Sequence, residues 1–268
     1  EHALILAEKE YTQTGCGDSG LVSIYKLRAQ VFFTRANFHK TQEYCFKMLS
    51  SAEAAANIPE QIRANTMIAQ VFNQTEQAEK GIVYTRRAAL LFKSLTDAKQ
   101  KMELAFVLAK RYLWHFQDTK TIASLDTSEL FTKVIILLAS NIKDSLQLAR
   151  AYNNLQGVEW EKGNLPAAQR YLDTALLYTG KDQYDNLSTN YYDKADIFLE
   201  LKEYKKAKAF ADSALKYQLL YGGNPAFVSD VYVLMARIAK SCGDYKTAFE
   251  YNTLSQTITD SIRSAQKA

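Results

Sequence analysis

Three histidines and three cysteines are the residues of this chain best suited to hold a metal or to act as nucleophiles, and their spacing serves neither purpose. His2, His39 and His115 stand in separate segments, with no pair at the spacing that puts two imidazoles on one helix face. Cys16, Cys45 and Cys242 form no CxxC, and an odd count gives no complete disulfide set. Free, partly buried thiols are one reading and a Cys16–Cys45 bridge the other; both a reducing compartment and a periplasm are compatible with them. Gly17-Asp18-Ser19-Gly20 offers a serine flanked by glycines, but a nucleophilic serine needs a histidine base and a buried aspartate. Helical pattern on both sides predicts instead that Gly15 to Gly20 is a turn that breaks a helix. Asp193 and Asp196 share one helical turn, where paired acids are expected to be solvated. The chain has no GxxxxGK, no GxGxxG following a strand and no HExxH. No catalytic residue, metal site or cofactor is therefore expected.

Composition narrows the partners. Of 268 residues, 47% are apolar and 23% charged, the mixture of a soluble folded chain, and only three prolines interrupt it. A net charge of +4 supplies no concentrated basic face, so nucleic acid is not expected to bind this region. The longest apolar run, Val134 to Ala139, is far short of the roughly 18 residues a membrane span needs. No membrane contact by this region is expected. The chain opens on Glu1 rather than Met, so a removed signal peptide, or a membrane anchor outside this region, is compatible with it.

What remains to position any functional side chain is a repeated hairpin. Ala149 to Tyr178, ARAYNNLQGVEWEKGNLPAAQRYLDTALLY, reads as two amphipathic helices around a Gly163-Asn164-Leu165 turn. Tyr152, Leu155 and Val158 line the first; Ala168, Leu172, Ala175 and Leu176 line the second. Small residues at Gly157, Ala168 and Ala175 let helix axes approach. Copies follow around Tyr204 and Tyr245 and precede it around Phe38 and Gly81. The small first-helix residues Ala29, Ala69, Gly157, Ala195 and Ala236 are 40, 88, 38 and 41 residues apart, and the long step has room for a sixth, degraded unit. The expected units are 21–57, 59–96, 97–142, 144–180, 184–221 and 224–262, preceded by a half unit over 1–20 and followed by a polar helical end over 263–268. That end is either a solvated cap or the start of a connector. Pro59 and Gly222-Gly223-Asn224-Pro225 punctuate the series. In the degraded unit the second helix is expected near Thr127-Ser128-Glu129, after a long join over Gln117 to Asp126, and its Val134 to Leu138 run is expected to be buried on more than one side.

The aromatic, Leu-Gly/Ala, Gly-Asp/Asn-Tyr and paired-alanine pattern of these units resembles the tetratricopeptide repeat, over nearly the whole chain and most closely over 149–178. The resemblance implies an all-α fold, a right-handed α-solenoid of about six helix-turn-helix repeats forming a single domain over 1–268. It also implies a groove on the first helices that holds an extended peptide or a partner helix. The positions three before and one after the small residue would face it, Lys26 and Gln30, Thr66 and Gln70, Phe106 and Lys110, Tyr192 and Asp196, Val233 and Arg237, and in the fourth unit the neighbouring Asn153 and Asn154. Family members that clamp a peptide carboxylate use Lys and Asn, then Asn, then Lys and Arg; Lys26, Gln30, Gln70 and Lys110 match in part, and an ordinary polar inner surface is the other reading. Tyr25, Tyr152, Tyr191, Tyr204, Tyr232 and Tyr245 fall at packing positions. Phe33, Trp114, Trp160 and Tyr192 fall on the inner side, either as hot spots for a bound segment or as packing groups. The expected function is a non-catalytic protein- or peptide-binding module, resembling the sensor or scaffold part of bacterial regulators. An intracellular peptide-sensing regulator domain and an enzyme-associated helical domain are the alternatives.

Overall fold

The computed structural model describes Leu6 and residues 17–267. Residues 17–267 form twelve helices paired as six hairpins. The chain divides into two compact units, 1–142 and 143–268. In the first unit the hairpins are α1 (Gly17–Thr34) with α2 (Phe38–Ala54), α3 (Ile58–Gln74) with α4 (Ala78–Phe92), and α5 (Ala98–Thr119) with α6 (Ile122–Ile142). In the second they are α7 (Ser145–Glu161) with α8 (Leu165–Tyr178), α9 (Tyr184–Glu200) with α10 (Tyr204–Tyr221), and α11 (Pro225–Ser241) with α12 (Tyr245–Lys267).

Short polar side chains start these helices. Asn37, Asn57, Asp97, Asp144, Asn164 and Asn224 each accept a backbone N–H of the first turn, and Pro59, Pro166 and Pro225 follow three of those caps, where a missing N–H costs nothing. Every hairpin turn ends its first helix with one left-handed residue: Ala36, Glu76, Lys120, Gly163, Lys202 and Gly243. Apart from Lys120, each donates its N–H to the carbonyl three residues back, and the next N–H reaches five back, as in Gly163 to Trp160 at 2.8 Å and Asn164 to Glu159 at 2.9 Å. The chain therefore reverses the same way whether the residue there is glycine, alanine, glutamate or lysine.

Aromatic pairs clamp the hairpins shut. Tyr25 and Tyr44, Tyr112 and Phe131, Tyr152 and Tyr171, Tyr191 and Phe210, and Tyr232 and Tyr251 meet with ring centroids 5.9–6.2 Å apart, always 19 residues apart in sequence. Between hairpins, side chains shrink. Ala29, Ala64 and Ala52 are buried with Met48 and Ile68 in the first unit, and Ala195, Ala207, Ala211 and Ala214 with Val231 and Leu234 in the second. No single hairpin could bury these faces alone, which is why they stack.

Several expectations need correction. Gly17 to Gly20 open helix α1 rather than break one; the rest of the expected half unit over 1–20, Gly15 and Cys16 included and Leu6 apart, lies outside the described residues. The join in the third hairpin is only Lys120-Thr121, because α5 runs on through Thr119 and α6 begins at Ile122. Thr127 bonds back to the Ala123 carbonyl at 2.7 Å inside α6 instead of capping it. That helix is not buried all round: Ile135 is, whereas Ile122, Leu130, Leu137 and Ile142 are exposed. Tyr245 is exposed at the start of α12, not core. Cys242 is exposed, and Cys45 is buried with its thiol pushed up to about 12 by desolvation.

Candidate functional site on the first helices

The hairpin turns supply a better register than small residues do. Seven residues before the left-handed position come Ala29, Ala69, Ala195 and Ala236, but in α7 that residue is Gln156, not Gly157. Asn153 is therefore the equivalent of Tyr192 and Val233. Asn154 is buried and does not face outward with it. Thr66 is likewise buried, its hydroxyl bonded to the Arg63 carbonyl at 2.9 Å.

In the first unit a polar seam crosses α1, α3 and α5. Lys26 Nζ lies 3.5 Å from Glu60, whose carboxylate also takes Arg63 at 2.6 Å. Arg63 reaches on to Glu103 at 3.3 Å. Gln70 Oε1 accepts from Arg111 Nη2 at 3.1 Å, and Arg111 stacks on Trp114 at 4.2 Å. Lys110 lies over the Phe106 ring, and Gln30 is exposed on α1. Phe33 packs edge-on against Phe38, so it serves the hairpin. Lys26, Gln30, Gln70 and Lys110 are thus on first helices, but Lys26 and Gln70 are each engaged by a neighbour.

The second unit repeats the seam across α7, α9 and α11 with acids. Asn153 Nδ2 donates to Asp193 Oδ2 at 2.9 Å and to Asn190 Oδ1 at 3.1 Å. Asp196 takes Arg237 at 2.9 Å, and Glu200 takes the other end of that guanidinium at 3.4 Å. Tyr192 meets Phe227 with centroids 5.5 Å apart, while Val233 is exposed. Trp160, partly buried, packs on buried Ala168, Leu172 and Ile197.

The acid pair is not solvated as expected. Burial between helices pushes the Asp193 carboxyl up to about 7, against the pull of the Asn153 amide, with Asp196 adding to the rise. Asp196 is raised by burial too, and Arg237 opposes that rise. Tyr192 is pushed up to about 12 by burial and by its acid neighbours. A cavity of this unit is lined by Tyr204, Met235, Ile238 and Tyr251 on α10 to α12, away from Asp193. Among the described residues no three His, Cys, Asp or Glu side chains gather where a metal could sit. No helix among them is long and apolar enough to cross a membrane.

Arg63, Glu103, Arg111, Asn190 and Asp193 were missed as site residues. The signal that could have found them is spacing. Arg63 and Glu103 are 40 residues apart, Gln70 and Arg111 41, Asn153 and Asp193 40, and Asp196 and Arg237 41. A polar residue whose partner type recurs one repeat later marks the edge where one first helix meets the next.

No protein-family model matches the chain, and no curated protein matches it in sequence. Solved structures do match in fold. The tetratricopeptide-repeat sensor-bearing signal-transduction ATPase PH0952 of Pyrococcus horikoshii superposes with a TM-score of 0.63 at 20% identity, over 96% of this chain and 37% of that one. BtubC of P. vanneervenii gives 0.61 at 15% identity, over 85% and 91%. A Rap protein complexed with Competence and Sporulation Factor gives 0.57 at 15%, over 97% and 80%. The fold is accordingly all-α and of the tetratricopeptide-repeat type, a helical-repeat architecture.

Proposed function

We propose that this chain is a non-catalytic module that binds a protein or peptide across its first helices, serving as the sensor or scaffold part of a regulatory protein. The observation that carries the reading is the polar seam. First helices one repeat apart are tied side chain to side chain in each unit, by Arg63–Glu103 and Gln70–Arg111 in one and Asn153–Asp193 and Asp196–Arg237 in the other. Such a surface presents groups from successive helices at fixed spacing, which suits an extended chain laid across them. The exposed Gln30 and Val233 add free contact area beside the seam. Likeness to a repeat sensor in an ATPase and to a Rap protein complexed with Competence and Sporulation Factor supports the sensor reading, including its peptide-sensing form.

Hydrogen exchange tests it. The purified chain is used to capture a partner, and exchange is then compared with and without that partner. Slowed exchange should fall on α1, α3 and α5 or on α7, α9 and α11. Protection confined to the second helices α2, α4, α6, α8, α10 and α12 would overturn the assignment. Replacing Lys26, Gln30 and Lys110 together should weaken a partner held by the first unit without loss of helicity.

A further inference from the structure

A furrow of about 480 Å³ runs between the second helices α4 and α6 of the first unit. Its lining includes Tyr112 and Phe131, stacked 5.9 Å apart, and Val134. Leu90 on α4 and Leu130 on α6 also line it, although 66% and 63% exposed. The Thr127 hydroxyl in the wall already donates to the Ala123 carbonyl at 2.7 Å, so that wall has no spare hydroxyl hydrogen for an occupant. Two exposed cations share the lining, Arg86 and Lys93, seven residues apart on α4 and its cap. Among the described residues neither forms an ion pair, and no carboxylate lines the furrow. Glu129 and Lys133 on α6, by contrast, pair with each other at 2.7 Å. Burial raises the Tyr112 hydroxyl and Arg86 pulls it back, so the guanidinium's charge is felt at the aromatic wall. Exposed apolar residues keep the same step, Val83 and Leu90 on α4 and Leu130 and Leu137 on α6. Two turns is the period at which a packed helix presents its own side chains.

We propose that this furrow docks an amphipathic helix of a partner protein, its apolar face entering between Leu90 and Leu130 and its flank carrying two acids seven residues apart for Arg86 and Lys93. The two cations are about 10 Å apart along the helix axis. An extended chain covers that rise in about three residues, and side chains three apart point to opposite faces of a strand. A helix covers it in two turns and keeps both acids on one side. A fatty carboxylate would bring a single charge to two cations. The site is built mainly from second helices and stands apart from the groove reading above.

The probe is a rhodamine-labelled peptide of three heptads, with leucine at the first and fourth places of each, glutamate at the fifth, and alanine or glutamine elsewhere. Its counterpart carries lysine at the fifth place. Each is titrated with the full chain at constant ionic strength and followed by anisotropy. The glutamate peptide should bind saturably and the lysine peptide at least about tenfold more weakly. Arg86→Glu combined with Lys93→Glu should reverse that order, and Leu130→Gln should weaken the glutamate peptide. Hydrogen exchange should slow in α4 and α6 when it binds. Equal binding of the two peptides, binding of neither, or an order unchanged by the double reversal overturns the site. Should the double variant fail to fold, Lys93→Glu alone replaces it, and undiminished binding of the glutamate peptide there overturns the site. Protection on α1, α3 and α5 instead would move the peptide to the groove, ending this inference and leaving the proposed module standing. A dimer of the chain that Leu130→Gln dissociates would make a second copy the occupant, and the partner helix would be wrong.

Discussion

Asn153 on α7 gives its amide hydrogens to two acceptors on α9, Asn190 and Asp193, and the Asp193 carboxylate 2.9 Å away is the one that titrates. Its folded value of about 7 stands above the ordinary 3.8, with burial as the cause. The folded form therefore holds a proton that the unfolded chain releases. The stability this confers is fully present below about 4 and is lost as pH rises through 7. Asp193→Asn keeps an acceptor for Asn153 and removes the titration. The variant should match the parent at pH 4 and exceed it by at least about 1 kcal/mol at pH 8. Urea unfolding at the two pH values measures this. Parallel losses in both proteins would show that Asp193 does not carry the charge cost.

Lys202 holds the left-handed turn between α9 and α10 at φ 60°, where Gly163 and Gly243 hold the equivalent turns at 72° and 80°. An L residue there crowds its own Cβ against the backbone, at about 1 kcal/mol. Lys202→Gly should stabilise the second unit by about 0.5–1 kcal/mol, less than the full strain because glycine also loosens the unfolded chain. Gly243→Ala should do the reverse, and since a Cβ at Gly243 would meet nothing within 4 Å, the cost is conformational alone. Melting temperatures moving in the same direction for the two variants would break the argument.

Much of the repeat was legible because the forces that build it are local. Tyr25, Tyr152, Tyr191 and Tyr232 were readable as packing rings, since aromatic and small residues recur at helical spacing in each unit. The Gly222-Gly223-Asn224-Pro225 turn was readable too, because glycine at positive φ followed by a capped proline admits few conformations. The α5–α6 turn was hidden: Lys120 at φ 57° carries no glycine to announce it, and the Thr127 hydroxyl looks like a cap until the Ala123 carbonyl is seen beneath it. Arg111 and Asp193 were hidden for a different reason. Their burial is a property of neighbouring helices, and hydropathy read along one helix places a charged residue in water.

Ala207 sits with no exposed surface where α10 meets α9 and α11, among Ala211, Ala214, Phe198 and Leu234. Leucine would add three carbon atoms where backbone and aromatic rings already touch. Ala207→Leu should cost about 1–3 kcal/mol through displaced neighbours. Thermal melting followed by helical circular dichroism reads the loss, and an unchanged midpoint would mean these helices do not approach at Ala207.

His115 gives the first unit the opposite response to acid. Its Nδ1 lies 2.8 Å from the Ser124 hydroxyl and 3.4 Å from that of Thr119, while Nε2 is buried without a partner. Burial holds its pKa below the ordinary 6.5; Glu79 and Asp118 pull the other way, and Arg86 reinforces burial. The folded ring is neutral where the unfolded chain takes up a proton, so the stability it confers is present above about 6.5 and drains away as pH falls through the lower folded value. His115→Asn retains a polar atom near Ser124 and cannot titrate. Between pH 7.5 and 5, protection factors in α5 and α6 (exchange relative to the unfolded chain at the same pH) should fall in the parent and less so in the variant, while those in α9 should rise as Asp193 takes its proton. Exchange rates in α5 and α6 that track the variant's at every pH would show that His115 does not set the acid limit of this hairpin.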